Sequence, residues 1–428
     1  MPPMFLLLRR VFCLSYQLAL AGFMLLLSCA GLLVAQEAPP KPAQVLGTYE
    51  YETKPDRVAY LNFNPRKAPA PGPLLLQKGD RLAIVGDSIT EQKMYSRMIE
   101  TYLTVCVPDL AVTVRQYGWS GEKTDGFLRR MDNDCLRFSP TIATISYGMN
   151  DSRYRPFDAT NGRWYADHYT AIVRKFQASG ARVVVGSPGC AGKIATWVQS
   201  RSGTLEQHNL HLCALRDIAM AVAEQEGVAF ADVFWPMYQA NIEAPGRYQG
   251  DGSRPYEVAG RDGIHPGWAG QTIMAFAYLR ALGLDGDLGT IDVDLSQQQA
   301  IATAGHQVDR VANGEVTITS SRYPFCADGP ADRDDSIRSG MTLVPFNSQL
   351  NRLVLKIKGG SGGLYKVTWG GATKTYSPKQ AADGINLADE FPSNPFCPQF
   401  ARVDQVVAEK QAFETKQIKQ IFHGRRGK

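Results

Sequence analysis

The sequence predicts a doubly wound α/β domain with a parallel sheet, followed by a small β-rich region. Two observations carry this expectation. Between residues 82 and 282, short apolar runs of strand length alternate with longer helical patterns, the arrangement that builds βαβ units. After Leu284 the pattern changes to a polar stretch rich in Asp and Gly, followed by short apolar runs separated by Gly-Gly pairs. The chain has 428 residues, enough for two domains and a sizeable core. Its formal charge of +5 is small for that length and no basic cluster is interleaved with aromatics, so no nucleic-acid partner is expected.

The N-terminus reads as a targeting segment, residues 1–35. Arg9 and Arg10 precede a mostly apolar run from Val11 to Val34, and Leu33-Val34-Ala35 before Gln36 resembles a signal-peptidase site. The run is also nearly long enough to span a bilayer, and Leu26-Leu27-Ser28-Cys29 loosely matches a bacterial lipobox. Cleavage, lipid anchoring and an uncleaved helix are therefore all open, and each exports residue 36 onward. The expected location is secreted or periplasmic, or membrane-anchored. Export bears on the six cysteines that follow, because an even number in an oxidising compartment suggests disulfides. Sequential pairing, Cys106–Cys135, Cys190–Cys213 and Cys326–Cys397, is the expectation, with buried free thiols as the alternative.

Residues 36–78 are rich in Pro and Ala and read as a linker, with a short strand over Val58 to Phe63. Residues 79–285 carry the alternation. Strands are expected at Leu82–Val85, Ala111–Gln116, Ile142–Ser146, Arg182–Val185 and Val228–Val233. Helical patterns lie near 89–105, 124–137, 161–178 and 205–226, with a last one from Trp268 to Leu282. Residues 286–428 form the accessory region. It is polar to about Pro345, then carries strands at Leu353–Ile357, Leu364–Trp369 and Thr373–Tyr376. Gln380 to Phe391 is helical or turn-like, and Val403 to Phe422 is a polar terminal helix.

The chain is organised around Leu82 to Thr90, where an apolar strand stops at Gly86-Asp87-Ser88 and a helical pattern follows at once. A serine there sits at the carboxyl end of a strand and the N-terminus of a helix, where open α/β sheets bind ligands and backbone N–H groups favour negative charge. Ser88 is either a nucleophile or an N-cap. A nucleophile needs a base, a group to orient the base, and donors for an oxyanion. Gly121, on the loop after the second strand, could offer its N–H, or could be an ordinary turn glycine. Asn150, at the end of the third strand, could aim a side-chain N–H above Ser88, or close an Asx-turn. Asp262 and His265 lie three apart on a tight loop before the last helix. At that spacing a carboxylate can fix one ring nitrogen and leave the other facing a serine; the alternative is a capping or solvent-facing histidine.

Taken together, Gly86-Asp87-Ser88, Gly121, Gly148-Met149-Asn150-Asp151 and Asp262-Gly263-Ile264-His265 resemble the four blocks of the SGNH (GDSL-type) hydrolase family, in the family's order, over roughly residues 80–284. The resemblance implies a flavodoxin-like three-layer α/β/α fold and a Ser-His-Asp mechanism. Ser88 would be the nucleophile, His265 the general base and then acid, and Asp262 the group that orients it. The N–H groups of Ser88 and Gly121 and the Asn150 side chain would form the oxyanion hole. Tyr117 and Trp119 flank Gly118 where the family usually has Asn or a small residue; Gly121 is the preferred donor because Ser120-Gly121-Glu122-Lys123-Thr124 matches better.

Three other patterns point elsewhere and are set aside. Gly186 to Ile194 resembles a phosphate loop, with one residue too many between its glycines and Ile194 in place of the metal-binding Ser or Thr. His208 and His211 have no evident third metal ligand and read as surface histidines. Asp285 to Asp294 lacks the glycine and terminal glutamate of a calcium loop. No metal or cofactor is expected. The functional expectation is an exported carboxylic ester hydrolase acting on a small acyl ester, O-acetyl on polysaccharide in particular. Trp119, Arg153 and Trp268 are candidate substrate contacts. A lipid acylhydrolase, lysophospholipase or thioesterase is the alternative within the same chemistry, and a glycan- or cell-wall-binding scaffold is the alternative outside it.

Overall fold

Five parallel strands form the central sheet of the computed structural model, which describes residues 49–248 and 254–424. The targeting segment and residues 36–48 of the linker lie outside the described residues. The strands are β1 (Arg81–Gly86), β2 (Thr113–Gln116), β3 (Ile142–Ser146), β4 (Arg182–Gly186) and β5 (Ala229–Ala231). Their order is β2-β1-β3-β4-β5 and every adjacent pair is parallel. In this order the connections leave β1 and β3 in opposite directions, so a crevice opens at their carboxyl ends. Gly86 ends β1 at that crevice.

Side chains alternate along β1: Leu82 and Ile84 enter one apolar core, Ala83 and Val85 the other. The helices are α1 (Ser88–Glu91), α2 (Tyr95–Val105), α3 (Thr124–Asp134), α4 (Ala159–Ala178), α5 (Leu205–Glu226), α6 (Phe234–Arg247) and α7 (Trp268–Ala281). α2, α6 and α7 cover the first face, through residues such as Ile99, Met237 and Ile273. α3, α4 and most of α5 cover the second, through Phe127, Phe176 and Met220. The result is a three-layer α/β/α domain. α6 is a helix the sequence pattern hides, because Pro236 and Pro245 interrupt it; Pro236 falls in its first turn, where a missing N–H costs no helical hydrogen bond. Val58–Tyr60 is a 3₁₀ turn in place of the expected strand. Tyr60 and Phe63 are fully buried and pack on Tyr238 of α6.

The accessory region holds more strand than its polar sequence suggests. β6 (Asp287–Asp294), β7 (Gln299–Ala302), β8 (His306–Ala312) and β9 (Glu315–Ser320) all fall in the polar stretch of the β-rich region, where the sequence pattern marks no individual strand. In β6, buried Ile291 and Val293 alternate with part-exposed Asp292 and Asp294, so only one face needs apolar residues. With β10 (Arg352–Lys358), β11 (Tyr365–Trp369), β12 (Ala372–Tyr376) and β13 (Ile385–Asn386) they form a mixed sheet, β13-β10-β6-β7, and two hairpins, β8–β9 and β11–β12. This region shares the first core of the α/β domain. Tyr102 of α2 packs on Phe325 and Phe346 and donates to the Leu350 carbonyl at 2.7 Å. A terminal helix, Cys397–Lys416, runs on into a π-helical turn, Gln417–Phe422.

The expected disulfides are not found. All six cysteines from Cys106 onward are free thiols. Cys106 and Cys135 belong to the cores on opposite faces of the sheet, so that pairing is topologically excluded. Burial pushes the Cys190 and Cys213 thiols up to about 12, so they behave as small apolar side chains.

Candidate active site

The turn after β1 settles which residue caps the helix. The Asp87 side chain accepts from the Ile89 N–H at 2.9 Å and is the N-cap of α1, so Ser88 is the first helical residue rather than the cap. Ser88 Oγ lies 2.8 Å from His265 Nε2. His265 Nδ1 lies 2.7 Å from Asp262 Oδ2, and Asp262 Oδ1 accepts the N–H groups of Ile264 and His265, each at 2.9 Å.

The three-residue spacing works because the loop folds sharply at Gly263. Its φ is +77°, and a Cβ there would meet the Lys193 backbone nitrogen at 2.3 Å. The Gly192 N–H donates to the Gly263 carbonyl at 2.8 Å and holds this fold in place. Burial alone would raise the Asp262 pKa. The N–H of His265, the His265 ring and the N–H of Ile264 outweigh it and hold the carboxyl below its ordinary value. An ionised Asp262 accepts from Nδ1–H, which leaves Nε2 as the acceptor for the Ser88 hydroxyl. A hydroxyl held by such an imidazole is the arrangement that makes serine a nucleophile.

The candidate oxyanion donors lie on segments that contact the turn carrying Ser88. Among the described residues, no hydrogen-bond acceptor takes the N–H of Ser88 or of Gly121, whose φ is +74°. Asn150 is placed differently from the expectation of a free donor. Its Nδ2 donates to Asp87 Oδ2 at 3.2 Å and to the Glu122 carbonyl at 3.1 Å, while its Oδ1 accepts from Tyr154 at 3.0 Å. These two bonds occupy both Nδ2 hydrogens, so Asn150 reaches a developing anion only by sharing one of them. Burial, with Asp151 and Glu122 nearby, pushes the Asp87 carboxyl up to about 7. Beneath the loop, the Glu122 carboxylate takes two hydrogen bonds from Arg130, at 2.7 and 2.6 Å, and one from Tyr147 at 2.6 Å.

The remaining expected residues sit as follows. Trp119 packs edge-on to His423, with centroids 5.0 Å apart. Trp268 lies under the Arg97 guanidinium at 5.5 Å, and Arg153 lies over Trp164 at 5.3 Å. The aromatic beside His265 is Trp197, half-exposed and stacked with its centroid 6.3 Å from that of His265. It lies in an irregular loop, and no periodicity in the sequence marks it. His208 and His211 are buried, not surface, histidines. His208 Nε2 lies 2.9 Å from Ser152 Oγ, and His211 Nδ1 lies 2.8 Å from the Arg155 carbonyl. They hold the loop that follows Asn150. Burial, with His211 adding repulsion, pushes His208 down to about 4. A cavity of about 310 Å³ beside His265 is lined by Gln92, Met94, Arg254, Arg261 and Asp334 among others. A second, of about 510 Å³, is lined by Tyr154, Ile194, Gln199, Arg201 and His208 among others.

Residues 84–273 match the family model of the GDSL-like lipase/acylhydrolase family. This stretch, the α/β domain, is a GDSL-like lipase/acylhydrolase domain. It is accordingly a carboxylic ester hydrolase. A search of curated proteins found no match. Among solved structures, a gut microbial diltiazem-metabolizing enzyme is similar, with 23% identity, a TM-score of 0.63 and coverage of 79% of this chain and 78% of that one. That likeness is one of fold, and it covers more of the chain than the α/β domain alone. A catalytic mutant of an acetylxylan esterase from Geobacillus stearothermophilus is 18% identical over 49% of this chain and 97% of its own, with a TM-score of 0.39.

Proposed function

We propose that this GDSL-like hydrolase is an exported serine esterase that removes small O-acyl groups, acetyl in particular, from carbohydrate. The observation that carries the mechanism is the unbroken chain from Ser88 Oγ through His265 to Asp262, at 2.8 and 2.7 Å. In this reading Ser88 Oγ attacks the acyl carbonyl carbon and its proton passes to His265 Nε2. The carbonyl oxygen becomes an oxyanion, held by the N–H groups of Ser88 and Gly121 and by Asn150. Collapse of this intermediate breaks the ester C–O bond, and His265 returns its proton to the departing sugar hydroxyl. Water then attacks the acyl-Ser88 ester with His265 again as base, which releases the carboxylic acid and restores the hydroxyl. Asp262 stabilises the imidazolium in both halves.

The walls of the site support this substrate class. The cavity beside His265 carries Gln92, Arg254, Arg261 and Asp334 on its walls, polar groups that suit a hydroxyl-rich acceptor. Trp197 offers a flat apolar face beside the imidazole, the surface on which a sugar ring stacks. Export rests on the N-terminal sequence pattern. The test is hydrolysis of p-nitrophenyl esters from acetate to laurate by the full chain, with Ser88→Ala beside it. Acetate fastest and a dead variant support the proposal. Laurate fastest replaces it with a lipid acylhydrolase, and a Ser88→Ala variant as active as the parent refutes the nucleophile.

A further inference from the structure

The terminal helix is far from the active-site motifs in sequence, yet its last turns reach the loop that carries Gly121. The helix first covers the open edge of the sheet. β2 is an edge strand; Lys410 Nζ donates to its Val114 carbonyl at 2.5 Å, and Glu414 accepts the Gln116 N–H at 3.3 Å. On α2, Ser96 donates to Gln411 at 2.7 Å, and Gln411 donates to Glu100 at 2.8 Å. The following π-helical turn buries Ile418 in the second core and stacks Phe422 on Phe138. It also brings two groups to the loop after β2. His423 Nε2 lies 2.8 Å from the Asp134 carboxylate and its ring packs on Trp119, while Lys419 Nζ lies 5.1 Å from the Trp119 ring centroid.

Lys419 is also ion-paired with Glu91. Glu91 is the last residue of α1, the short helix that Ser88 begins. Its other carboxylate oxygen accepts both the N–H and the hydroxyl of Ser120, each at 2.6 Å. Gly118 sits against the same residue so closely that a Cβ there would meet the Glu91 nitrogen at 2.2 Å. Burial works against the Glu91 charge, and the hydrogen bonds from Lys419 and Ser120 overcome it and hold its pKa below the ordinary value. Glu91 therefore ties the segment that offers the Ser88 N–H to the segment that offers the Gly121 N–H, one residue past Ser120.

We propose that Glu91 and Lys419 are positioning residues for the oxyanion hole: Glu91 fixes the spacing of its two backbone donors, and the terminal helix holds Glu91 in place through Lys419. This inference rests on the esterase reading above. Oxyanion donors act only when aimed at the place where charge develops, so a loosened bracket costs transition-state binding rather than substrate binding.

The experiment measures kcat and KM for p-nitrophenyl acetate, and inhibition by a trifluoromethyl ketone whose serine adduct places an oxyanion in the hole. It uses the full chain, Ser88→Ala, Lys419→Met, Lys419→Arg, Glu91→Gln and the double variant Glu91→Gln/Lys419→Met. We expect Lys419→Met to lower kcat about tenfold with KM within about twofold, and to weaken the ketone by the same factor, well short of the ~10²–10³ for deleting a donor outright. Lys419→Arg restores most of the rate, and the double variant is no slower than Glu91→Gln, because both act through one bracket. A folded Lys419→Met with unchanged kcat, a loss that falls on KM, or losses that multiply in the double variant would each overturn the inference while leaving the esterase intact. A parent chain no faster than Ser88→Ala overturns the esterase reading, and this inference with it. If Lys419→Met fails to fold, Glu91→Gln decides, since its amide oxygen still accepts from Ser120 and only the ion pair is lost.

Discussion

Replacing Asp262 by Asn is the most discriminating perturbation of the proposed mechanism, because the structure separates its mechanical role from its electrostatic one. Asp262 Oδ1 accepts two backbone N–H groups at 2.9 Å, and an asparagine oxygen can keep both. The side chain is also 40% exposed, so water screens the lost charge and the effect on stability is held to about 1 kcal/mol or less. At Oδ2 the change is of another kind. An Asn NH₂ would face His265 Nδ1, 2.7 Å away in the parent, and force that nitrogen to accept. The ring proton then moves to Nε2, which points at the Ser88 hydroxyl and can no longer receive its proton. We expect kcat to fall by about 10³–10⁴, equivalent to about 4–5.5 kcal/mol of transition-state stabilisation. Steady-state kinetics on p-nitrophenyl acetate, with a thermal melt of each protein, measures both quantities. A folded Asp262→Asn enzyme that kept more than a tenth of the parent kcat would show that His265 does not depend on this carboxylate.

Two other outcomes follow from the same geometry. Asn150→Ala should lower kcat about 10²-fold with little change in KM, and should uncover the buried Asp87 carboxyl that Asn150 contacts; unchanged kcat would remove Asn150 from the oxyanion hole. His208, held down to about 4 from an ordinary 6.5, should make the protein lose stability as pH falls from about 6.5 to 4, since the unfolded chain binds the proton first. At about 1.4 kcal/mol per unit the full effect is about 3 kcal/mol; urea unfolding at pH 7 and pH 4 should show that slope reduced in His208→Asn, and equal slopes would contradict the buried neutral ring.

What the sequence made legible was local. Gly86-Asp87-Ser88 could be placed because a buried strand and a helix meet there, and Asp262 to His265 because three residues suffice to set a carboxylate against an imidazole. The structure brings these two segments within hydrogen-bond reach. The parts that stayed hidden have separate physical causes. β6 to β9 bury one face only, so their Asp and Thr residues read as a polar loop. His208 and His211 lie on α5, whose residues enter both cores, and a helix buried on two sides gives no clean polar face on which to sort a histidine. The cysteine count suggested pairing, but spacing along the chain says nothing about which face of a sheet a thiol occupies. Trp197 and Lys419 carried no motif at all.

The accessory region bears on the site from two sides. Asp334, at the start of its helical part, accepts the Glu257 N–H at 2.9 Å with its carboxylate and the Ala269 N–H at 3.1 Å with its carbonyl, bracketing the loop that holds Asp262 and His265. The terminal helix braces the opposite wall through Glu91. The α/β domain alone would leave Ser96, Glu100 and Gln116 without the partners they find on that helix, and would bare the apolar face of α2 around Tyr102. Losing such partners costs about 1–3 kcal/mol for each group that remains buried. The change in composition near residue 285 therefore marks a change of element type within one core. The serine, the histidine loop and the proposed donor loop come from the α/β domain, and in the proposed arrangement contacts from outside it hold their relative spacing.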